Sequence, residues 1–501
     1  MNHVVAQVSP TTRRRRYPMP VALHWRCGCA GFSDDVPVVV TPMPVALHLP
    51  THPLSYPHMT SKHFHLGQKK KIRKEIVTAD GYHGITGLVG SCFQVTQELA
   101  AFVVNVRCFG KKTCDFELGN DIYLFDSFEN LGDNEPLTFL RSFTDRHPDD
   151  GSEVVYSRYD GQVAFVPVGA ILPDGTPHPH AGTGFCIGTA IALPANAQGA
   201  ASVDVYRGNL GWFLILTQLA WQGGTLVQTG RQILRPADFM PGANDSGLGA
   251  PVFDGADILI PFSMVKPAPY GLGLLRMQRL ADGQWHPGPF EMIAPEKGDN
   301  PPLFSKPTPG DGLSGCEGSA ARLADGQVVF TCREWGPKPW SPEPLEASRM
   351  RLWKGCPGVT PFRQVQERPF FHTLSPITVG ATWEGEPYLL ANAYSRTDWK
   401  GAAVPSLDIR EKLLLYPLAG ETLAPEEPLL LCDVVKEFGE PGPETGGWFA
   451  DHPMGWRLQL EGKRRNFLTW RVFHVRETKG VTPSEFSAAW IAEIFSDATK
   501  G

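Results

Sequence analysis

The sequence lacks the features that mark several common classes of protein. Ten cysteines in 501 residues are too few for a disulfide scaffold. No apolar run approaches the roughly 18 residues that cross a bilayer, and none of signal-peptide length follows the four arginines at 13–16. Lysine and arginine number 46 against 52 acidic residues, a formal charge of −6. The composition therefore predicts a reducing, cytoplasmic setting without a nucleic-acid or membrane partner.

The first 60 residues differ from the rest of the chain. The heptapeptide Pro-Met-Pro-Val-Ala-Leu-His occurs at 18–24 and again at 42–48. A local duplication rich in proline and histidine is typical of a poorly ordered leader, or of sequence upstream of the true start, for which Met43 and Met59 are candidates. We therefore expect a leader over residues 1–60 and a single folded domain over residues 61–501.

From about Lys69 onward, short apolar or β-branched runs alternate with turn residues. Glycine and proline number 52 and 46, too frequent for long helices; the best helical candidate is near 484–494. Acidic-Gly pairs, which favour tight hairpin turns, recur at Asp160-Gly161, Asp254-Gly255, Asp282-Gly283, Asp325-Gly326, Glu384-Gly385 and Glu461-Gly462. This recurrence predicts an all-β fold, a six-bladed β-propeller of four-stranded antiparallel sheets, with five or seven blades as alternatives. Two consecutive β-sandwiches are the rival, disfavoured because no linker-like stretch divides the chain.

Three blocks of sequence carry a family resemblance. Their ranges are 315–333, 389–392 with 410–416, and 107–115 with 121–127. In the first, a glutamate precedes a strand, an Asp-Gly turn and a second strand that ends in arginine. In order and spacing the blocks resemble the sialidase superfamily of Asp-box propellers. The resemblance implies a propeller glycosidase, with the blocks in separate blades.

The resemblance also implies roles for individual residues. Asp115 matches the proton-transferring carboxylate and Glu317 the general base, while Arg333 and Arg410 match two of the three arginines that clamp a carboxylate. Guanidinium groups bind carboxylates bidentately, and paired carboxylates are the usual equipment for breaking glycosidic bonds. Each residue also has a purely structural interpretation. Asp115 would be a turn residue, Glu317 would cap a hairpin, and the two arginines would form salt bridges between adjacent blades.

Two departures from the sialidase pattern bear on the substrate. The region that would supply the first arginine, 89–94, contains none, and Phe449 stands where sialidases carry a tyrosine nucleophile. A phenyl ring has no oxygen to attack an anomeric carbon. The chain is therefore expected to be a divergent relative that does not cleave sialic acid.

Histidines in loops bordered by glycine or proline are candidates for the catalytic role that the tyrosine has in sialidases. His452 follows Asp451, whose carboxylate is suited to orient an imidazole for proton transfer, or the pair simply closes a turn. His180 is a candidate substrate-binding residue. A metal held by His178 and His180 is disfavoured because alternate residues on an extended strand point to opposite faces. No metal or other cofactor is expected.

These residues favour hydrolysis of a glycosidic bond in an acidic, carboxylate-bearing sugar. One alternative is a polysaccharide lyase that cleaves uronic-acid glycans by β-elimination, with histidine as the base. The other is a non-catalytic propeller that binds a glycan or a protein. The expected partner of either enzyme is a glycan or an acidic sugar. The expected partner of the non-catalytic propeller is a glycan or another protein.

Overall fold

A computed structural model gives the fold of most of the chain after the leader. It describes residues 64–73, 75–77, 83–109, 117–139, 143–194, 210–235, 243–246, 250–264, 271–295, 315–334, 349–369, 375–392, 410–438, 448–474 and 488–496. The predicted leader, 1–60, lies outside these ranges. Within them the chain is almost entirely β-strand, as the turn pattern predicted, and the single helix, α1 (Val434–Phe438), has five residues.

The strands lie in five hydrogen-bonded sheets within the described ranges. Strand β1 (Phe64–Ile72) pairs with the C-terminal strands and is assigned to sheet V. Sheet I contains ten strands: β2 (Glu75–Val77), β3 (His83–Gln94), β4 (Ala100–Phe109), β5 (Glu117–Phe125), β6 (Leu137–Phe139), β7 (Phe143–Arg146), β8 (Glu153–Val166), β9 (Thr183–Pro194), β10 (Gly211–Gln222) and β11 (Thr225–Leu234).

The remaining strands follow in chain order. Sheet II comprises β12 (Ala243–Ser246), β13 (Val252–Asp254), β14 (Asp257–Met264), β15 (Gly271–Arg279) and β16 (Trp285–Pro295). Sheet III comprises β17 (Gly315–Arg322), β18 (Val328–Glu334), β19 (Arg349–Cys356) and β20 (Thr360–Pro369). Sheet IV comprises β21 (Thr378–Ala381), β22 (Pro387–Asn392), β23 (Lys412–Ala419), β24 (Ala424–Pro425) and β25 (Leu429–Asp433). Sheet V comprises β1, β26 (Trp448–Leu460), β27 (Lys463–His474) and β28 (Ala488–Ser496).

The inner strands of these sheets close a ring. Strand β3 contacts β8, β8 contacts β12, β12 contacts β17, β17 contacts β21, β21 contacts β26, and β26 returns to β3. In sheets II, III and IV the strand order runs outward from the inner strand in chain order, and in sheet V strands β26, β27 and β28 are followed by β1 at the outer edge. Radial meanders around a closed ring define a β-propeller, so the predicted fold class is confirmed.

The number of sheets differs from the leading prediction. Counted by hydrogen bonding the blades number five, which was an alternative to the predicted six. The cause is a single cross-strand pair, Glu117 with Arg158, that joins β5 to β8. This pair merges two meanders, β2–β5 and β8–β11, into one ten-stranded sheet.

The predicted helix near 484–494 is wrong, because the segment forms strand β28. Alanine and glutamate favour helices in isolation, but β28 pairs with β27 on one side and β1 on the other. Seven of its nine residues are buried. Pairing on both edges together with burial outweighs local propensity here.

The apolar core is divided among the interfaces between neighbouring sheets. Sheets IV and V, for example, enclose one cluster that includes Tyr388, Leu390, Leu468 and Trp470. Other clusters fill the interfaces of sheets I and II, II and III, III and IV, and V and I. Each sheet is therefore held by both of its neighbours, and every inner strand is positioned from two sides.

The interface between sheets IV and V depends on two glycines beside Tyr388. A Cβ atom at Gly455 would overlap the Tyr388 hydroxyl oxygen and lie 2.8 Å from Cζ of the ring; at Gly380 it would meet the same ring. The Tyr388 side chain is buried, which raises the pKa of its hydroxyl. Moving a rigid, closely packed ring aside costs free energy.

We therefore expect Gly455→Ala to lower the free energy of unfolding by about 1–3 kcal/mol, as overpacking does. Thermal and urea denaturation measure the change. The double variant Gly455→Ala with Tyr388→Phe removes the overlapping oxygen and should lose less than the two single changes together. Strict additivity would contradict the proposed clash.

Neither a membrane helix nor a disulfide is found in the described part of the chain. None of its helices has the length and apolar character needed to cross a bilayer. The five cysteines whose side chains are described are free thiols: Cys92, Cys186, Cys332 and Cys432 are buried and Cys356 is half-buried. Burial raises the pKa of the Cys92 and Cys432 thiols well above the ordinary value, which makes them poor nucleophiles.

Candidate functional site

Five of the six acidic-glycine pairs form hairpins, and these mark one end of the sheets, which we call the turn end. The prediction was wrong for Asp160-Gly161, which lies inside strand β8 at a bulge. Asp325-Gly326 joins β17 to β18, Glu384-Gly385 joins β21 to β22, and Glu461-Gly462 joins β26 to β27. These hairpins are neighbours in space, because a Cβ atom at Gly385 would meet Ala324 and the Trp383 N–H donates to Asn466 Oδ1 over 2.9 Å. The opposite end, where the inner strands begin, is called the open end.

Glu317 lies near the open end of inner strand β17. The strand carries a bulge between Cys316 and Ser319, and Glu317 within it has a left-handed backbone with φ of 51°. Its side chain is buried and accepts a hydrogen bond from Nη1 of Arg333, on β18, over 3.0 Å. The predicted base and the predicted arginine thus form a buried ion pair.

His452 occupies a similar position on inner strand β26. A bulge separates Asp451 from Met454, and His452 within it has φ of 50°. Its side chain is buried, with 4% of its surface exposed. Left-handed backbone is costly for residues other than glycine, and bulges commonly re-aim side chains next to active sites.

Asp451 is the centre of a second buried charge cluster. Its carboxylate accepts hydrogen bonds from Nη1 of Arg410 and from Nε and Nη2 of Arg471, the last over 2.9 Å. Burial alone would raise the pKa of Asp451, but the charges of Arg471, Arg410 and His452 lower it well below the ordinary value. The Asp451 carboxylate is therefore ionised throughout the neutral and mildly acidic range.

Strand β21 lies between the two strained residues. The Thr378 hydroxyl donates to the Pro453 carbonyl over 2.7 Å, and the Val379 N–H donates to Ser319 Oγ over 3.1 Å. Pro453 follows His452, and Ser319 lies two residues beyond Glu317. The two strained residues therefore flank the same short strand at the same end of the propeller.

Asn392 joins sheets IV and V at this end. Its Nδ2 group donates to the Ala450 carbonyl over 2.8 Å and to the Lys412 carbonyl over 3.2 Å. The Ala450 N–H in turn donates to the Arg410 carbonyl over 2.8 Å. These bonds position Arg410 against β26, where its guanidinium reaches Asp451.

The structure thus brings four predicted residues, Glu317, Arg333, Arg410 and His452, to the open end of sheets III, IV and V. Asp115 lies outside the described residues. His180 is at the turn end, where its ring packs edge-on against Trp285 at 5.3 Å, beside the Asp282-Gly283 hairpin. Within the described ranges, no three His, Cys, Asp or Glu side chains are grouped to hold a metal.

Arg471 was missed by the sequence reasoning, although a signal was present. Counting outward from the Glu461-Gly462 turn places residue 471 or 472 opposite Asp451, and the observed partner is Arg471. The same counting from Asp325-Gly326 places Arg333 opposite Glu317; the bulge moves the observed register by one residue, so Arg333 aligns with Cys316, and its guanidinium still bonds Glu317. Hairpin register alone therefore predicts both acid–arginine pairs.

Comparison with known proteins gives structural matches only. No known family profile and no curated protein matches the sequence. The intramolecular trans-sialidase from Ruminococcus gnavus is 10% identical, with a TM-score of 0.46 over 82% of this chain and 94% of that one. The NanB sialidase from Streptococcus pneumoniae is 9% identical, with a TM-score of 0.48 over 88% and 71%.

A third match is the GH93 α-L-arabinofuranosidase of Fusarium graminearum, 9% identical, with a TM-score of 0.44 over 87% of this chain and 99% of that one. Sialidases are thus among the proteins that this chain resembles in structure. The low identities agree with the expected divergence.

Proposed function

We propose that this protein is a carbohydrate-active enzyme that hydrolyses a glycosidic bond of a carboxylate-bearing sugar at the open end. The observation that carries the proposal is the pair of strained ionisable residues, Glu317 and His452. Four non-glycine residues have positive φ in the part of the chain that the structure describes, and two of them, Leu423 and Glu461, lie in hairpin turns, which account for their conformation. Glu317 and His452 lie within inner strands, where no turn requires it.

The cost of this conformation supports a functional role. Each left-handed residue costs on the order of 1–3 kcal/mol and is retained where the surroundings enforce it, most often at active sites. Both residues carry groups that transfer protons, and both are shielded from bulk water. In this proposal Glu317 and His452 handle protons at the scissile bond, with Asp115 as the predicted acid.

The acidic character of the sugar is proposed from the arginines. Arg333, Arg410 and Arg471 gather at the open end of three neighbouring sheets, and guanidinium groups recognise carboxylates bidentately. Arg333 and Arg410 also hold internal carboxylates, those of Glu317 and Asp451. A substrate carboxylate would share these guanidinium groups with the protein's own acids.

A second candidate reaction, β-elimination, is favoured by the placement of His452. Elimination from a uronic acid needs a base for the proton next to the carboxylate and positive charge to stabilise the enolate. A buried imidazole beside the Asp451–arginine cluster supplies both elements. The two reactions differ in product, because elimination leaves a conjugated double bond that absorbs in the ultraviolet.

The test is turnover by the full chain on methylumbelliferyl glycosides of glucuronic acid, arabinofuranose and sialic acid, and on polygalacturonate. We expect Glu317→Gln and His452→Asn each to lower kcat by about 10²–10⁴-fold, the usual contribution of a general acid or base. Asparagine tolerates left-handed backbone, so His452→Asn should retain the fold. Ultraviolet absorbance of the polygalacturonate products distinguishes elimination from hydrolysis.

The matched control is Glu461→Gln, which makes the same chemical change at a residue of the same backbone conformation (φ of 52°) at the turn end. It should leave kcat unchanged. Equal activity of the parent, Glu317→Gln and His452→Asn would refute the proposed site. Binding of these glycans by the parent without turnover would favour the non-catalytic module.

A further inference from the structure

Ser375 lies just before strand β21. Its side chain is buried, and none of the contacts or roles described so far involves it. It has no exposed surface, and its hydroxyl has no hydrogen-bond partner among the described residues. A buried hydroxyl without a partner costs about 1–3 kcal/mol. Such a group calls for an explanation, and one is a missing ligand.

The contacts of strand β21 with sheet III place Ser375 at the same end of the propeller as Glu317. Ile377 and Val379, two and four residues later, pack with Ala321 and Val329 of sheet III. The chain bends at Ser375, and β21 begins three residues later, at Thr378. Val379 is bonded to Ser319, so Ser375 precedes this contact on the open-end side of β21, as Glu317 does on β17.

The same strand places Ser375 near His452 from the other side. Thr378 is bonded to the Pro453 carbonyl, and Ser375 precedes Thr378 by three residues, again toward the open end. Ser375 thus lies on the segment that separates the two strained residues. Among the described residues, no other buried hydroxyl without a partner lies on this segment.

We propose that Ser375 is a substrate-binding residue, whose hydroxyl forms a hydrogen bond with a hydroxyl group of the sugar bound between Glu317 and His452. A nucleophilic role is disfavoured, because an activated serine is hydrogen-bonded to its base and Ser375 Oγ has no such bond. The inference rests on the proposed function and adds a residue that contacts the sugar without taking part in proton transfer.

The test separates a ligand-binding role from a structural one. For Ser375→Ala we expect a melting temperature equal to or above that of the parent, because an unsatisfied buried group is removed. On the glycoside that the parent cleaves, KM should rise about 3- to 10-fold, the value of one hydrogen bond, with kcat within about twofold. The Tm increase that glucuronic acid, as a free probe, produces in the parent should disappear.

Thr217→Val is the matched control. Thr217 is also fully buried with an unpartnered hydroxyl, but it lies in strand β10 of sheet I. Its removal should likewise preserve or raise the melting temperature, with KM and the glucuronic acid response unchanged. A lower melting temperature for Ser375→Ala, or an unchanged KM and response, would overturn the inference.

Failure of the proposed function gives a different result. If the parent cleaves nothing but glucuronic acid still stabilises it and not Ser375→Ala, hydrolysis is refuted and Ser375 remains a binding residue. If glucuronic acid stabilises both proteins equally, the inference fails whatever the activity. If the parent neither cleaves a glycoside nor responds to the probe, both proposals are refuted.

Discussion

Replacing Asp451 with asparagine is expected to lower the free energy of unfolding by about 3–5 kcal/mol, the usual cost of breaking a buried ion pair from one side. The carboxylate is fully buried and accepts hydrogen bonds from Arg410 and Arg471. Its loss would leave two buried guanidinium groups facing each other. Denaturant unfolding of the parent and the variant measures the difference.

The pH dependence of this effect has a definite sign. The pKa of Asp451 in the folded protein lies below its ordinary value of 3.8, so acid protonates the unfolded chain first. The stability it contributes is fully present above about pH 4 and is lost as pH falls toward the folded-state pKa. The gap between parent and Asp451→Asn should therefore be constant from neutral pH to about pH 5 and should narrow below pH 4.

Asp325→Asn is the control for this experiment. Asp325 forms an ion pair with Lys354 over 2.9 Å, but its side chain is 46% exposed. Exposed pairs contribute about 0–1 kcal/mol. A loss at Asp451 no larger than that at Asp325 would contradict the buried cluster.

Removing residues 1–72 is expected to prevent formation of a stable folded chain. This deletion removes β1, leaves the edge of β28 open to other chains, and takes Phe64 and Ile72 out of the core. Phe64 belongs to the cluster between sheets IV and V, and Ile72 to the cluster between sheets V and I. Each such side chain contributes about 1.5–3 kcal/mol by burial alone, before the lost hydrogen bonds to β28.

The control is a chain that begins at Met59, one of the start sites suggested by the sequence, because it retains β1. We expect it to match the full chain in melting temperature and in the β-sheet signal of its circular dichroism. The chain that lacks residues 1–72 should give aggregated protein or none. A chain lacking β1 that melts at the parent's temperature would show that ring closure does not depend on this strand.

Much of the fold could be predicted from turn chemistry. The Asp325-Gly326 and Glu461-Gly462 pairs predicted hairpins where the structure has them. Outward counting aligns Asp451 with Arg471 as observed, and it comes within one residue of the observed register for Arg333. The backbone conformation of Glu317 and His452 could not be predicted, because neither glutamate nor histidine indicates a left-handed backbone in a sequence. The strain at Glu317 and His452 comes from bulges, which depend on the neighbouring sheets.

Contacts between sheets were also not predictable from the sequence. Arg410 meets Asp451 across 41 residues of chain, and no local pattern specifies that approach. The single pair Glu117 with Arg158, which merges two meanders, depends in the same way on how sheets twist toward each other. The sequence alone does not distinguish Ser375, because a lone serine before a short strand differs from a turn residue only in its burial.

The pairing of β1 with β28 also imposes a delay during synthesis, because β1 must wait for its partner strand. Phe64 aligns with Ser496, so the first strand is made more than 400 residues before its partner leaves the ribosome. At about 5–20 residues per second, that interval is on the order of 20–80 s. The nascent protein therefore passes through an open-ring state whose lifetime is set by translation, and chaperone demand should depend on elongation rate.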